Sequence, residues 1–452
     1  MQRRDILRAG ISLGIFGAFR NLPAAGGGEV APAAQGATIE DAFFYAFPLY
    51  EFARTEQERT GALNGKPGAL NTLAHRAALA DHTSRQVTAP NNDTIYSSSF
   101  MELAAGPLEV MAPSSTDRYY SVAFMNAFTD NFAYIGTRAT KGRGGRYWIA
   151  GPQWTGQAPA GVTLFQSTTN DVWMLMRTLV DGKKDLPAAQ AFQKQLTLTV
   201  PEGRQAARPF TTRAADVNDP AIFLGVVNEM LARSPGGKGH TSKAHVFAAH
   251  GIGATTAPLP AQLDRWREYI PRGLASLREG FLFRDLVVEG WSYQRPGVGD
   301  FKDDDRLRAT VALGGLAALG EEEAMYFHAN FDAQGERLTG QHAYRWRVPP
   351  GGVPADAFWS LTLYETMPDG RFFLVDNPIR RYAIGDRTPG LTVDRDGSFE
   401  ILIQHGQPAG PAASNWLPAP SGPFRLALRA YLPKPELRAR KWRVPALTRD
   451  TH

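Results

Sequence analysis

The densest polar cluster in the chain is Pro90-Asn91-Asn92-Asp93-Thr94-Ile95-Tyr96, followed by three serines. Two amides, a carboxylate and a phenol at this spacing can orient a small polar molecule and move a proton on it. Asp93 then serves as base and Tyr96 as proton donor. Turn chemistry at the opening of a strand accounts for the same residues, because Asn and Asp side chains bond their own backbone. Tyr120 is a second candidate donor. Further on, Asn131 and Tyr134 fall on opposite faces if their strand is regular. Arg138 follows as an anion holder which, if buried, needs a carboxylate or carbonyl partner, and Asp93 or Asp117 can serve. A second cluster comprises Asn377, Arg381, Tyr382, Asn415 and Trp416. An indole beside an amide can stack on and hydrogen-bond a sugar; it can equally plug the end of a sandwich.

Other chemistries find less support. The 452 residues include no cysteine, which excludes a thiol nucleophile, disulfides and thiolate metal sites. His240, His245 and His250 recur every five residues, a spacing that puts no chelating pair on one helix face. His75 and His82 read as packing, and His328 near Glu321-Glu322-Glu323 reads as a solvated helix face. No metal site is assigned and the cofactor is left open. There is no Gly-x-Ser-x-Gly elbow, and Gly142-Arg143-Gly144-Gly145 lacks the lysine ending of a phosphate loop.

The elements that must carry these residues show an internal repeat. Tyr119-Tyr120-Ser121-Val122-Ala123-Phe124 is echoed by Phe358-Trp359-Ser360-Leu361-Thr362-Leu363. Gly145–Ile149 is echoed by Gly397–Ile401, and Val172–Arg177 by Pro423–Arg429, in the same order. Two related β domains follow from this order. Between them the period changes to helical over Pro187–Leu198, Pro220–Arg233, Gln262–Phe281 and Asp304–Phe331, the last broken near Gly314-Gly315 or Gly320. A further helix starts at Thr38-Ile39-Glu40-Asp41 and carries Phe43, Phe44, Phe47 and Tyr50, with Pro48 as a kink.

The net charge of +5 is modest, and the basic tail Arg438–Arg443 reads as solvated, so no nucleic-acid partner is expected. Outside the N-terminus no apolar run is long enough to span a membrane. Arg3-Arg4 followed by the apolar Ala9–Phe19 run reads as a twin-arginine export signal ending near Gly36, which places the mature protein in the periplasm.

The motif Asn91–Tyr96, with Asp117-Arg118-Tyr119-Tyr120-Ser121 and Asn131–Arg138, resembles the family catalogued as domain of unknown function 1254. Ala357–Tyr364, Asn377-Pro378, Arg381-Tyr382, Asp396-Gly397-Ser398 and Asn415–Pro420 resemble domain of unknown function 1214. The resemblance implies two jelly-roll-like β-sandwich domains with a helical portion, in an exported bacterial protein, and transfers no catalytic role.

The expected organisation is mainly β with a helical insertion, α+β overall. A signal occupies 1–36, an N-terminal β domain with a leading helix 37–182, and a helical region 183–338. A C-terminal β-sandwich follows over 339–446, with a tail at 447–452. The expected function is a non-redox enzyme, hydrolase or lyase, acting on a small polar molecule such as a sugar or hydroxy acid. Its rival is a non-catalytic ligand-binding or assembly protein of the cell envelope. Open β edges in two domains also predict a homo-oligomer.

Overall fold

The computed structural model describes residues 36–450 except 65–68, 86–87, 236–238, 254, 282–285 and 368–370. Residues 1–35, which hold nearly all of the expected export signal, lie outside the described residues. The first β half supplies β1 (Ala74–Arg76), β2 (Thr94–Glu102), β3 (Leu108–Ala112), β4 (Tyr120–Asn126), β5 (Asn131–Gly136), β6 (Gly145–Ala150), β7 (Val162–Gln166), β8 (Asp171–Leu179) and β9 (Thr197–Thr199). The second supplies β10 (Val287–Val288), β11 (Trp291–Tyr293), β12 (Ala324–Ala329), β13 (Tyr344–Val348), β14 (Ala355–Thr366) and β15 (Phe372–Leu374). It continues through β16 (Ala383–Gly385), β17 (Phe399–Gln404), β18 (Trp416–Pro418), β19 (Phe424–Pro433) and β20 (Leu447–Arg449). The helices are α1 (Ile39–Thr60), α2 (Leu186–Gln193), α3 (Pro220–Ala232), α4 (Pro260–Phe281), α5 (Asp305–Gly315) and α6 (Pro435–Arg438). The protein is therefore mainly β, with α1 ahead of the first β half, α3 and α4 between β9 and β10, and α5 between β11 and β12.

The repeat seen in the residues is a repeat of topology. One sheet runs β1-β2-β8-β4-β5, and its counterpart runs β10-β11-β12-β19-β14-β15 with β16 also on β14. The smaller sheets run β7-β6-β3-β9 and β18-β17-β13-β20. In each half one small-sheet pair is parallel, β6 with β7 and β17 with β18. Each half packs large sheet on small sheet over its own core. Met101, Val122, Ile149 and Met174 fill the first; Trp346, Leu361, Ile401 and Leu428 fill the second. Each fully buried side chain of this kind contributes roughly 1.5–3 kcal/mol.

A third core lies among the helices. α1 opens on a capping box between Thr38 and Asp41, runs through Pro48, and stops at Gly61 in the left-handed conformation. It is buried around most of its circumference because α3, α4 and α5 pack on it while Phe52 meets Phe100 of β2. This packing covers part of the outer face of the first large sheet, where Phe100, Trp173 and Leu175 belong to the same core. The β halves and helices form one compact unit.

Three boundaries differ from expectation. The helix expected over Asp304–Phe331 ends at Gly315 and becomes β12, because Met325, Phe327 and Ala329 are buried in alternation with Tyr326 and His328, a period of two. β9 to β12 thus lie inside the segment read as helical. Leu447–Arg449, read as tail, pairs with β13 as β20.

Gly136 and Gly385 occupy equivalent edge positions, opposite Ser121 and Ser360. A Cβ there would stand 2.2 Å from the Tyr120 carbonyl oxygen and 2.3 Å from that of Trp359. Gly136 also sits at φ +141°, which side chains rarely adopt. Gly136→Ala is expected to cost about 3 kcal/mol by overpacking and strain combined, read as a lower urea midpoint. A cost below about 1 kcal/mol would refute this close approach.

Candidate functional site

The outer faces of the two large sheets meet, and the repeat places one row of residues on each. Across β2, β8 and β4 the row is Tyr96, Arg177, Ser121. Across β12, β19 and β14 it is Tyr326, Arg429, Ser360. Residues directly opposite in a sheet share a face, so each row is a single patch. The faces are joined by Tyr119, Leu179, Phe358 and Tyr431, with Phe358 stacked on Tyr431 at 4.1 Å and Tyr119 at 5.3 Å from Tyr431.

Each half also sends a carboxylate into the other. Asp93 precedes β2 and accepts a hydrogen bond from the Ser360 hydroxyl (2.6 Å). Glu323 occupies the equivalent position before β12 and accepts from the Tyr119 hydroxyl (2.8 Å). The equivalence extends to the backbone, where the N–H of Val180 donates to Asp93 and that of Leu432 to Glu323 (both 3.0 Å). Asn91 Nδ2 donates to the Tyr431 hydroxyl (2.7 Å), and the Tyr364 hydroxyl donates to the Pro90 carbonyl (2.9 Å). The Asn-Asn-Asp loop is thus fastened onto the second sheet.

Charge is unevenly compensated here. Arg177, Arg425 and Arg429 are 7%, 3% and 6% exposed. Arg429 donates to Thr362 Oγ1 (2.9 Å) and the Tyr364 hydroxyl (2.8 Å), with Asp93 in electrostatic reach. Arg177 donates through Nη2 to the Ala317 carbonyl (2.7 Å) and lies over the Tyr96 ring (5.7 Å), while its Nη1 has no partner. Arg425 lies over Phe372 (4.5 Å) and its Nε is unpartnered. Desolvation without an opposing carboxylate pushes its guanidinium down to about 10, still cationic at neutral pH. The surrounding phenols are neutral: burial raises Tyr119, Tyr326, Tyr364 and Tyr431 above their ordinary value, and Tyr134 to about 12. Tyr96, Tyr326 and His328 keep some accessible surface within this region.

His328 points from β12 toward Arg425 and Arg429. Burial and then these two cations hold its imidazole well below the ordinary range, and its Nδ1 has no partner. An unfolded histidine titrates near 6.5, so the unfolded chain takes up the proton first. The stability tied to neutral His328 is complete above about pH 6.5 and is lost as pH falls toward the depressed folded value, at up to about 1.4 kcal/mol per pH unit. His328→Gln is expected to flatten the urea midpoint between pH 6.5 and 5; equal slopes in both proteins would refute it.

The candidates from the sequence divide clearly. Asp93, Tyr96 and Asn91 line the meeting of the sheets. Asn131 and Arg138 sit at its border: Asn131 Nδ2 donates to the Ala318 carbonyl (2.8 Å), and Arg138 Nε donates to Glu323 (2.7 Å) and Nη1 to Glu322 (3.0 Å). Its partners are these glutamates, not Asp93 or Asp117. Tyr134 reaches the same 318–320 segment, accepting from the Gly320 N–H (3.1 Å). A register shift between Phe124 and Met125 makes Phe132 the extra residue, so the expected opposite facing of Asn131 and Tyr134 fails.

Tyr120 is not in the site. It faces the first sandwich core, donates to the Pro113 carbonyl (2.6 Å) and packs edge-on against Phe192, while burial pushes its phenol up to about 12. Its neighbour Tyr119 faces the site instead. Asn92 donates to the Ala80 carbonyl and holds the loop.

The second cluster is structural. Asn377 closes its own turn with Val375 and Arg381. Arg381 Nη1 donates to the carbonyls of Ser414 (2.9 Å) and Trp416 (2.8 Å). Asn415 bridges Thr392 and Glu400, and Trp416, 1% exposed, donates to the Gln404 carbonyl (2.9 Å). Tyr382 meets His82 Nδ1 (2.8 Å). A surface concavity lined by Asp117, Arg118, Lys141 and Arg143 is separate, and its Arg118 is committed to Asp185 (2.6 Å).

Residues that sequence reasoning did not select are Arg177, Arg429, Arg425, Tyr119, Tyr326, Tyr431, Ser360 and Glu323. Arg177 and Arg429 were visible as the arginines ending the third repeated segment. A charge at the same position of two apolar strands is the signal that could have found them.

Family comparisons agree with this division into halves. A model described as protein of unknown function (DUF1254) matches residues 70–200, and one described as protein of unknown function (DUF1214) matches residues 323–435. The chain belongs to the tandem DUF1254–DUF1214 family. The DUF1254 match spans β1 to β9, and the DUF1214 match opens at Glu323. Among solved structures, the VPA0106 protein from Vibrio parahaemolyticus is 22% identical with a TM-score of 0.71, over 91% of this chain and 98% of that one. It shares the fold. A protein of Burkholderia cenocepacia is 13% identical with a TM-score of 0.46, over 89% of this chain and 88% of that one. No curated protein matches the chain.

Proposed function

We propose that the protein binds a small oxygen-rich carboxylate between its two large sheets and acts on it as a non-redox hydrolase or lyase. One observation carries the reading: three buried arginines face this region, and among the described residues Asp93 is the one carboxylate there that no arginine hydrogen-bonds. Uncompensated buried cations are costly, and an anionic ligand offsets that cost. Arg177 holds the anion, the phenols of Tyr96 and Tyr326 bond its oxygens, and Asp93 is the base.

The test is a calorimetric screen of the 37–452 chain with hydroxy acids, uronic acids and the matching neutral sugars. Carboxylates are expected to bind and neutral sugars not. For any ligand found, Asp93→Asn should retain binding and lose turnover, seen as product by NMR, whereas Arg381→Ala should retain both. Binding of neutral sugars alone, or of no carboxylate, would sink the proposal. The non-catalytic reading draws on the bonds of Asn91 and Asp93 to Tyr431 and Ser360, which serve equally to lock the halves together. Binding without turnover would favour it. Export in folded form rests on Arg3-Arg4, and self-assembly on the open edges of β7 and β18.

A further inference from the structure

The duplicated row bears on the charge of the ligand. Tyr96–Arg177–Ser121 and Tyr326–Arg429–Ser360 are the same three residue types at the same register, presented from opposite sides to one region. The two rows are close enough for the phenols of Tyr326 and Tyr431 to act on Arg177, and for Tyr326 to feel both Arg177 and Arg429. Arg425 lies four residues from Arg429 on β19, on the same face, with His328 between them electrostatically. Guanidinium groups therefore line the region from the first sheet, at Arg177, to the second, at Arg429 and Arg425.

We propose that the ligand is a small dicarboxylate that spans the two sheets, one end on Arg177 and the other on the Arg425–Arg429 side. This rests on the carboxylate reading above and narrows it. Asp93 lies in electrostatic reach of Arg429, and Glu323, shared with Arg138, in reach of Arg177, yet Arg177 Nη1 and Arg425 Nε have no hydrogen-bond partner. A monoanion would satisfy the free donor of one wall and leave that of the other without a partner. A dianion with separated charges satisfies both. Two carboxylates suit the donors better than a phosphate monoester, which would concentrate its charge on one wall. The free donors, Arg177 Nη1 and Arg425 Nε, are on different walls, as two separated acceptors require.

The experiment is isothermal titration calorimetry of the 37–452 chain at pH 7 and constant ionic strength. The probes are succinate, glutarate and adipate, the monoamide of each, and a phosphate monoester. At least one dicarboxylate is expected to bind with one-to-one stoichiometry, about 30-fold or more tighter than its monoamide, because the amide leaves one buried guanidinium unpaired. Arg177→Met and Arg425→Met should each bring the dicarboxylate down to the monoamide's affinity, and Arg425→Lys should recover part of the difference. If a variant fails to fold, the wild-type comparison decides alone. Equal affinity for diacid and monoamide, two monoamides bound per chain, or preference for the phosphate ester would overturn the dicarboxylate and leave the carboxylate site standing. No binding by any carboxylate would remove both.

Discussion

Replacing Arg177 by methionine is expected to stabilise the ligand-free protein while weakening carboxylate binding about 30-fold or more. The two effects share one cause. Arg177 is 7% exposed, donates to one backbone carbonyl, and has a nitrogen without a partner amid neutral phenols. Methionine has a similar reach, fills the space and removes the desolvation cost, so a gain of about 1 kcal/mol or more is expected in urea unfolding. Functional residues held at a cost to stability commonly behave this way. A large loss of stability would show that Arg177 is a structural cation whose partners are sufficient, and the ligand argument would fall with it.

The opposite sign is expected at a second buried arginine. Asp171, at the start of β8, is fully buried and receives Arg233 Nη2 at 2.6 Å and Nε at 2.9 and 3.0 Å. Arg233 ends α3, so this pair fastens the helical core to the first sheet. Glu102 beside it is held by Arg208 (2.8 Å). Buried Glu56 is pushed well above the carboxylate range by desolvation and then by Asp171. Asp171→Ala leaves Arg233 buried without its counter-ion, and a loss of about 3–5 kcal/mol is expected. The double variant Asp171→Leu/Arg233→Met should recover most of that loss, since no lone charge remains. A single-variant cost below about 1 kcal/mol would contradict the pair's role. Arg177 and Arg233 thus test one principle from both sides.

Much of the chain was legible before folding was considered. The repeated β segments, α3 and α4 follow from periodicity and turn residues, because those signals are local. The loop Asn91-Asn92-Asp93 was legible as a polar cluster, and it lies where the two large sheets meet. The second cluster misled for a physical reason. Arg381, Asn415 and Trp416 have the composition of a binding site, yet backbone carbonyls consume their donors, and those carbonyls come from segments distant in sequence. Tyr120 misled by one position: adjacent strand residues face opposite sides, and only the sheet pairing shows that Tyr119 looks out and Tyr120 in.

What the sequence by itself determined is the duplication, the mainly β character and the family, since each is written in order and spacing along the chain. The tertiary structure decided what the duplication is for. Two equivalent arginines lie 252 positions apart as Arg177 and Arg429, and no local pattern says whether their sheets turn toward solvent, toward helices or toward each other. Long-range packing of Tyr119, Leu179, Phe358 and Tyr431 sets that orientation. It also brings Asp93 to Ser360 and Glu323 to Tyr119. Charges that look ordinary along the chain become uncompensated only once both faces are closed against water, because the cost of a buried cation belongs to its surroundings.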